Sequence, residues 1–280
     1  MSRQPDREPI PPDRTYESVL HHFNVERGIA RRLKAANREE RKAIYRTMYD
    51  ELFTQVPDHP RLTRRADPEQ TRLSNEAKME LARHFVNRSS TVLEFGPGDC
   101  RFAFAMAGQV NTVYGVDIAD QIGEDATPPG NFRLIVYNGY DLELPDDSID
   151  TVTSQQLIEH LHPEDTADHF RLAWRILRPG GVYVFRTPHR FNGPRDVSRY
   201  FSDEPEGFHL KEWTIGELAA LMKSIGYRTV KGYRPTRGFL LRLPMVYFHL
   251  MEAVLGRLPI YYRKRLARYF LPSITMAAFK

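Results

Sequence analysis

Along the 280-residue chain the spacing of apolar positions changes from a helical to an alternating order. Val25, Ile29, Leu33, Ile44, Met48 and Leu52 recur at helical spacing among Arg and Glu, which predicts one or two amphipathic helices. Pro57, Pro60 and Pro68 then break the pattern into a linker, and a helix is expected from Ser74, as N-cap, to Phe85. From there short apolar runs alternate with helical or loop segments: Thr91–Phe95, Thr112–Val116, Phe132–Tyr137, Asp150–Ser154, Val182–Arg186 and Arg228–Tyr233. Ser273–Lys280 reads as a last strand. Phe170, Ala173, Trp174 and Leu177 form one helical stripe that ends before Pro179. Thr214 and Glu217 form a capping box before Leu218, Leu221, Met222 and Ile225, with Gly226 as the stop.

This order predicts an α/β fold, a doubly wound, mainly parallel sheet of seven strands. The expected organisation is a disordered Pro-rich tail over 1–24, a helical cap and linker over 25–72, and the sheet domain over 73–280. Within that domain, 234–272 is expected to be a helical lid or insertion before the last strand, since so long a loop in a compact domain needs a structure of its own.

VLEFGPGDCRFA places Gly96 and Gly98 directly after the first strand, the start of a dinucleotide-binding turn. Arg101 stands where the third glycine belongs, and Glu94 and Asp99 flank the turn. Carboxylates beside a helix N-terminus repel a pyrophosphate and attract a cationic ligand. The second strand ends in Asp117, placed to accept hydrogen bonds from ribose hydroxyls; a helix N-cap is its alternative role.

LEFGPGD, VYGVDIAD, YNGYDLELPDDSIDTVTSQQLIEHL and LRPGGVYVFRTP, in this order and covering about half the chain, resemble the class I S-adenosylmethionine-dependent methyltransferases of the group called methyltransferase type 11. The resemblance implies S-adenosyl-L-methionine as cofactor and the Rossmann-like fold of that class. It also implies that Glu94, Gly96 and Gly98 shape the methionine side, and that Asp117, with Ile118 beside it, binds the ribose. Asn138 then stands where relatives carry an acid near the adenine, with Gly139 and Tyr140 lining the ring. The segment after the fourth strand comes to the reaction centre, with Gln155 facing the cofactor. An NAD-dependent oxidoreductase and a non-catalytic cofactor-binding protein are the alternatives.

Methyl transfer from a sulfonium is an in-line displacement, so a protein base is needed only for a weakly acidic nucleophile. His160, His189 and His209 are the three candidates for it, and sequence does not rank them. No metal site is expected: Glu159, His160, His162, Asp165 and His169 do not match a closed zinc spacing and spread over several faces of one helix start. The lack of an Asn-Pro-Pro-Tyr or Asp-Pro-Pro-Tyr run after the fourth strand disfavours methylation of exocyclic base nitrogens, as the family comparison implies. Cys100, the single cysteine, excludes a disulfide framework.

Charge adds a contrast to this picture. Acids outnumber Lys and Arg by more than three to one between Glu94 and Arg175, whereas 223–268 carries eleven Lys or Arg and one acid, Glu252. Within it, 238–270 is both apolar and basic: it can pack as a lid, touch an anionic membrane peripherally, or line a pocket for an amphiphilic substrate. The expected acceptor is a small molecule or a glycan or lipid precursor, methylated on oxygen. Nucleic acid is not expected as a partner, and a cytoplasmic location, peripheral at the membrane if at all, is the default.

Overall fold

The computed structural model describes residues 7–65, 67–123, 126–236 and 239–280. Four helices precede the sheet. α1 (Tyr16–Ala35) is capped by Thr15, whose side chain accepts from Ser18 N–H, and α2 (Arg38–Gln55) opens on a capping box of Asn37 and Glu40. α3 (Pro60–Arg65) follows, then α4 (Pro68–Ala82), capped by Asp67.

Two expectations change here. Residues 16–24, assigned to a disordered tail, form the first half of α1, because Val19 and Phe23 are buried against Val197; residues 1–6 of that tail lie outside the described residues. Ser74 is inside α4 and caps nothing: an acidic cap followed by a proline in the first turn, Asp67-Pro68, starts the helix two turns earlier.

The strands are β1 (Thr91–Phe95), β2 (Thr112–Asp117), β3 (Phe132–Val136), β4 (Ile149–Gln155), β5 (Leu177–Thr187), β6 (Thr229–Pro235), β7 (Leu240–Leu243) and β8 (Ile274–Phe279). They form one sheet in the order β3-β2-β1-β4-β5-β8-β6-β7. β1 to β5 are parallel to one another, and β8 inserts antiparallel between β5 and β6. Eight strands stand where seven were expected. The extra one, β7, comes from the insertion, where the short run Leu240–Leu243 pairs antiparallel with Gly232–Pro235 and extends the sheet edge.

α5 (Arg101–Ala107), α6 (Thr166–Ile176) and α7 (Ile215–Ile225) are the remaining helices of the expected alternation, and α8 (Met245–Leu255) and α9 (Ile260–Phe270) fill the insertion. On one face of the sheet Leu93, Phe95, Val152, Tyr183 and Phe185 pack under α6 and α7; on the other, Val92 and Val113 meet Phe102 and Met106 of α5. The cap has its own cluster, Ile29, Leu33, Tyr45, Met48 and Leu52, which closes against Phe208, Leu210 and Tyr140. It is pinned by Glu26, whose buried carboxylate accepts from Phe208 N–H (3.1 Å) and His22 Nε2 (2.9 Å).

Glu252 of α8 caps α7 from outside. Its two oxygens accept from Ile215 N–H (2.6 Å) and Gly216 N–H (3.1 Å), and Oε1 also from His189 Nε2 (2.9 Å). A charged acceptor at a helix N-terminus satisfies donors that the helix leaves open. Glu252→Ala is expected to lower the unfolding free energy by about 2 to 3 kcal/mol in urea titration, the range for lost hydrogen bonds to a charged group; an unchanged midpoint would show the cap to be idle.

Candidate active site

The strand order reverses between β1 and β4, and ligands in such sheets sit outside the carboxyl ends at that point. There the chain makes its tightest backbone. Gly96 (φ 66°), Gly98 (φ 58°) and Cys100 (φ 59°) are all left-handed, a conformation natural to glycine. A Cβ on Gly96 would also lie 3.2 Å from Leu157 Cδ1. Gly98 N–H donates to Asp117 Oδ2 (3.0 Å) and Ile118 N–H to Asp117 Oδ1 (2.7 Å), so the acid at the tip of β2 holds the glycine turn while facing the cleft.

Glu94 lies in β1, buried, and its Oε2 has no hydrogen-bond partner among the described residues. Burial pushes its carboxyl up to about 7, against the opposing charge of Lys78. Asp117 is raised as well, again by burial, with the Gly98 amide acting against it. Two partly desolvated carboxylates at the turn suit a ligand carrying positive charge and hydroxyl donors.

The roof of the cleft comes from the cap. Tyr45, Met48 and Tyr49 of α2 and Arg61 of α3 face Gly139 and Tyr140, which follow β3, and Gln156, Leu157 and His160, which follow β4. Gly139 (φ 90°) lets the backbone pass beneath Tyr45, whose ring would be 3.1 Å from a Cβ there. Arg41 secures the roof: Nη2 donates to Asp165 Oδ1 (2.7 Å) and Nε to Tyr140 Oη (3.1 Å), and Tyr140 Oη donates to Asp165 Oδ2 (2.7 Å). Arg61 lies over the Tyr49 ring (5.1 Å) and is the one cation among the described residues of the lining.

Of the sequence-predicted residues, Gly96, Asp117, Ile118, Gly139, Tyr140 and His160 line this cleft. Glu94 and Gly98 are not among the lining residues: Glu94 lies buried in β1, and Gly98 N–H holds Asp117. Asn138 is not among the lining residues: its Oδ1 accepts from Tyr140 N–H (3.0 Å) and Asp141 N–H (2.8 Å), so that oxygen is taken up by a local turn. Gln155 shares the sheet face of Glu94 and Thr153, and its Nε2, like Glu94 Oε2, has no hydrogen-bond partner among the described residues; Gln156, turned by a positive φ of 55°, lines the cleft beside it.

The three histidines separate cleanly. His189 is fully buried away from the cleft, accepting from Phe191 N–H (3.1 Å) and donating to Glu252, so it is structural. His160 Nδ1 is 2.9 Å from Phe208 O; a carbonyl only accepts, so Nδ1 carries the hydrogen and Nε2 keeps its lone pair. Burial, then the charge of His209, depresses His160 to about 3 and keeps it neutral. His209 sits behind it, bonded to Glu212 (2.7 Å). Burial alone would lower its pKa, but Glu212, Glu159 and Asp196 overcome this and push it up to about 9.

Folding thus brings His209 to Glu159 and His160, with candidate ligand atoms within 4.8 Å, a grouping the spacing within 159–169 did not contain. The His209 cation lies between Glu159 (4.0 Å) and Glu212, so the protein supplies its own counter-charge there. The cap residues Tyr45, Met48, Tyr49 and Arg61 were missed, since nothing in their amphipathic pattern tells a helix that covers a cleft from one that covers a core.

The doubly wound sheet, its glycine turn and the acid after β2 define a class I methyltransferase fold. A family model described as "Methyltransferase domain" matches residues 93–185. A "Probable S-adenosylmethionine-dependent methyltransferase" of Mycolicibacterium smegmatis is 34% identical over 140 residues, 49% of this chain and 51% of that protein. A protein of the same description from Mycobacterium tuberculosis is 31% identical over 139 residues, 49% of this chain and 48% of its own. The chain spans about half the length of these curated relatives.

Among solved structures, a Burkholderia thailandensis 1,6-didemethyltoxoflavin-N1-methyltransferase with bound S-adenosylhomocysteine superposes at TM-score 0.54, with 18% identity over 88% of this chain and 91% of that one. A methyltransferase from Archaeoglobus fulgidus gives 0.52, with 18% identity over 75% and 94%. Residues 93–185 thus match the methyltransferase domain model, and over about half its length the chain is similar to S-adenosylmethionine-dependent methyltransferases.

The residues present fit that cofactor: a buried carboxylate with an unpartnered oxygen for an ammonium, Asp117 for a ribose, and a turn whose Gly96 and Gly98 carry no side chain between them. Because an ammonium beside Glu94 favours its ionised form, binding at neutral pH should release a proton. S-adenosylhomocysteine is expected to bind about ten-fold more weakly at pH 6 than at pH 8. Calorimetry in buffers of different ionisation enthalpy reads this directly, and Glu94→Gln should both weaken binding and flatten the profile.

Proposed function

We propose that this chain transfers a methyl group from S-adenosylmethionine to a small or amphiphilic acceptor seated between α2 and the segment after β4, with oxygen as the atom methylated. The observation that carries the reading is the pairing of Asp117 with the unpartnered Glu94 carboxylate at one glycine turn. A pyrophosphate cofactor would meet repulsion at both acids, which sets the NAD reading aside.

Bound S-adenosylmethionine supplies an electrophilic methyl group on a sulfonium. Asp117 and Ile118 hold the ribose side, Gly139 and Tyr140 the adenine side, and Glu94 the ammonium. Tyr45, Met48 and Tyr49 cover the cleft and exclude water, and alignment in so closed a site supplies much of the rate. The neutral His160 offers its Nε2 lone pair to the acceptor. It orients a hydroxyl and is placed to take the proton released as the ether forms. Arg61 is placed to pair with an anionic part of the acceptor or with the cofactor's carboxylate.

Asp117→Ala is expected to weaken S-adenosylhomocysteine binding by about 1 to 3 kcal/mol in calorimetry, the loss of charge-assisted hydrogen bonds. NADH should not bind, and tight NADH binding alone would overturn the reading. With isotope-labelled cofactor and a metabolite and lipid extract, mass spectrometry should find a labelled product. His160→Ala should form it about a hundred-fold more slowly with cofactor affinity unchanged, and unaltered turnover would remove His160 from the chemistry.

A further inference from the structure

The insertion leaves an apolar surface uncovered. On α8, Val246 (72% exposed), Leu250 and Val254 fall at i, i+4 and i+8; on α9, Tyr262, Leu266, Tyr269 and Phe270 fall at i, i+4, i+7 and i+8. Each set is one stripe, and Phe239 and Leu241 expose further apolar area where the chain enters β7. Patches of this kind mark interaction sites.

Charge selects the occupant. Segment 239–270 carries six cations, Arg242, Arg257, Arg263, Lys264, Arg265 and Arg268, and one acid. That acid, Glu252, is turned inward to cap α7 and neutralises nothing on the surface. Arg242, Arg257 and Arg265 are exposed and form no ion pair among the described residues. A second copy of the chain would set cations against cations. An anionic bilayer answers both features: apolar stripes enter the acyl boundary, tyrosines settle at the headgroup level, and cations meet lipid phosphates.

We infer that α8 and α9 dock the protein on an anionic lipid bilayer. α9 leads into β8, whose first residue, Ile274, pairs with Thr187 at the carboxyl end of β5, so the docking face lies at the same end of the sheet as the cleft. An amphiphilic acceptor could pass from one to the other; this last step rests on the methyl-transfer reading, whereas the docking does not.

Co-sedimentation with vesicles of phosphatidylcholine alone, or with one-quarter phosphatidylglycerol, tests it on the full chain. Binding to the anionic vesicles is expected, at least ten-fold stronger than to neutral ones and falling as salt is raised. Val246→Asp/Leu250→Asp and Arg265→Glu/Arg268→Glu should each reduce it at least ten-fold. Both pairs are exposed, so unchanged S-adenosylhomocysteine binding verifies the fold independently of lipid. Equal failure to bind both vesicles overturns the inference. So does a dimer in light scattering that Val246→Asp/Leu250→Asp splits, since the face would then be covered by a second copy.

Discussion

The cleft exists because Arg41 is buried opposite Asp165. The two residues are 124 positions apart, each under one-tenth exposed, and joined at 2.7 Å, with Tyr140 closing the triangle. A buried charge is tolerated only with a partner, and stripping one away typically costs about 3 to 5 kcal/mol. Withdrawing the cap would therefore strand Asp165 and expose Tyr45, Met48 and Leu52 together. The cap and the sheet domain are consequently one folding unit, and the roof over the glycine turn is as fixed as its floor.

That rigidity gives the carboxylates their character. Glu94 is buried, and its pKa rises because burial outweighs the opposing charge of Lys78. Glu26 faces similar burial with the opposite result: two histidines and the Phe208 amide outweigh desolvation and keep it ionised far below its usual range. One buried acid is satisfied internally and serves as a rivet; the other keeps an oxygen with no hydrogen-bond partner among the described residues. The same contrast separates His189, bonded at both nitrogens, from His160, bonded at one.

Much of this was legible in the sequence where a single local rule governs. The strands showed as short apolar runs, the α7 capping box as Thr214 and Glu217, and the glycine turn with its flanking acids as a departure from the dinucleotide pattern. What was not legible depends on geometry between distant segments. Asn138 carries suitable atoms, but its side-chain oxygen is taken up by a local turn, and Gln156, which lines the cleft, is turned there by a backbone φ that no side-chain pattern announces. β7 is too short to stand out as a strand, and pairs only because β6 presents an edge. The start of α1 was hidden by prolines that end just before it.

The uneven charge along the chain acquires a spatial meaning from the fold. The acid-rich stretch runs through the carboxyl ends of β1, β2 and β4, and so concentrates negative potential at a site for a sulfonium and an ammonium. The base-rich stretch includes α8, packed on α7 and β6, and α9, packed against residues 190–192 after β5. Placing both signs around one cleft would have screened the field that selects a cationic cofactor over a pyrophosphate. With the basic segment on α8 and α9, the acid-rich strand ends keep a negative field of their own.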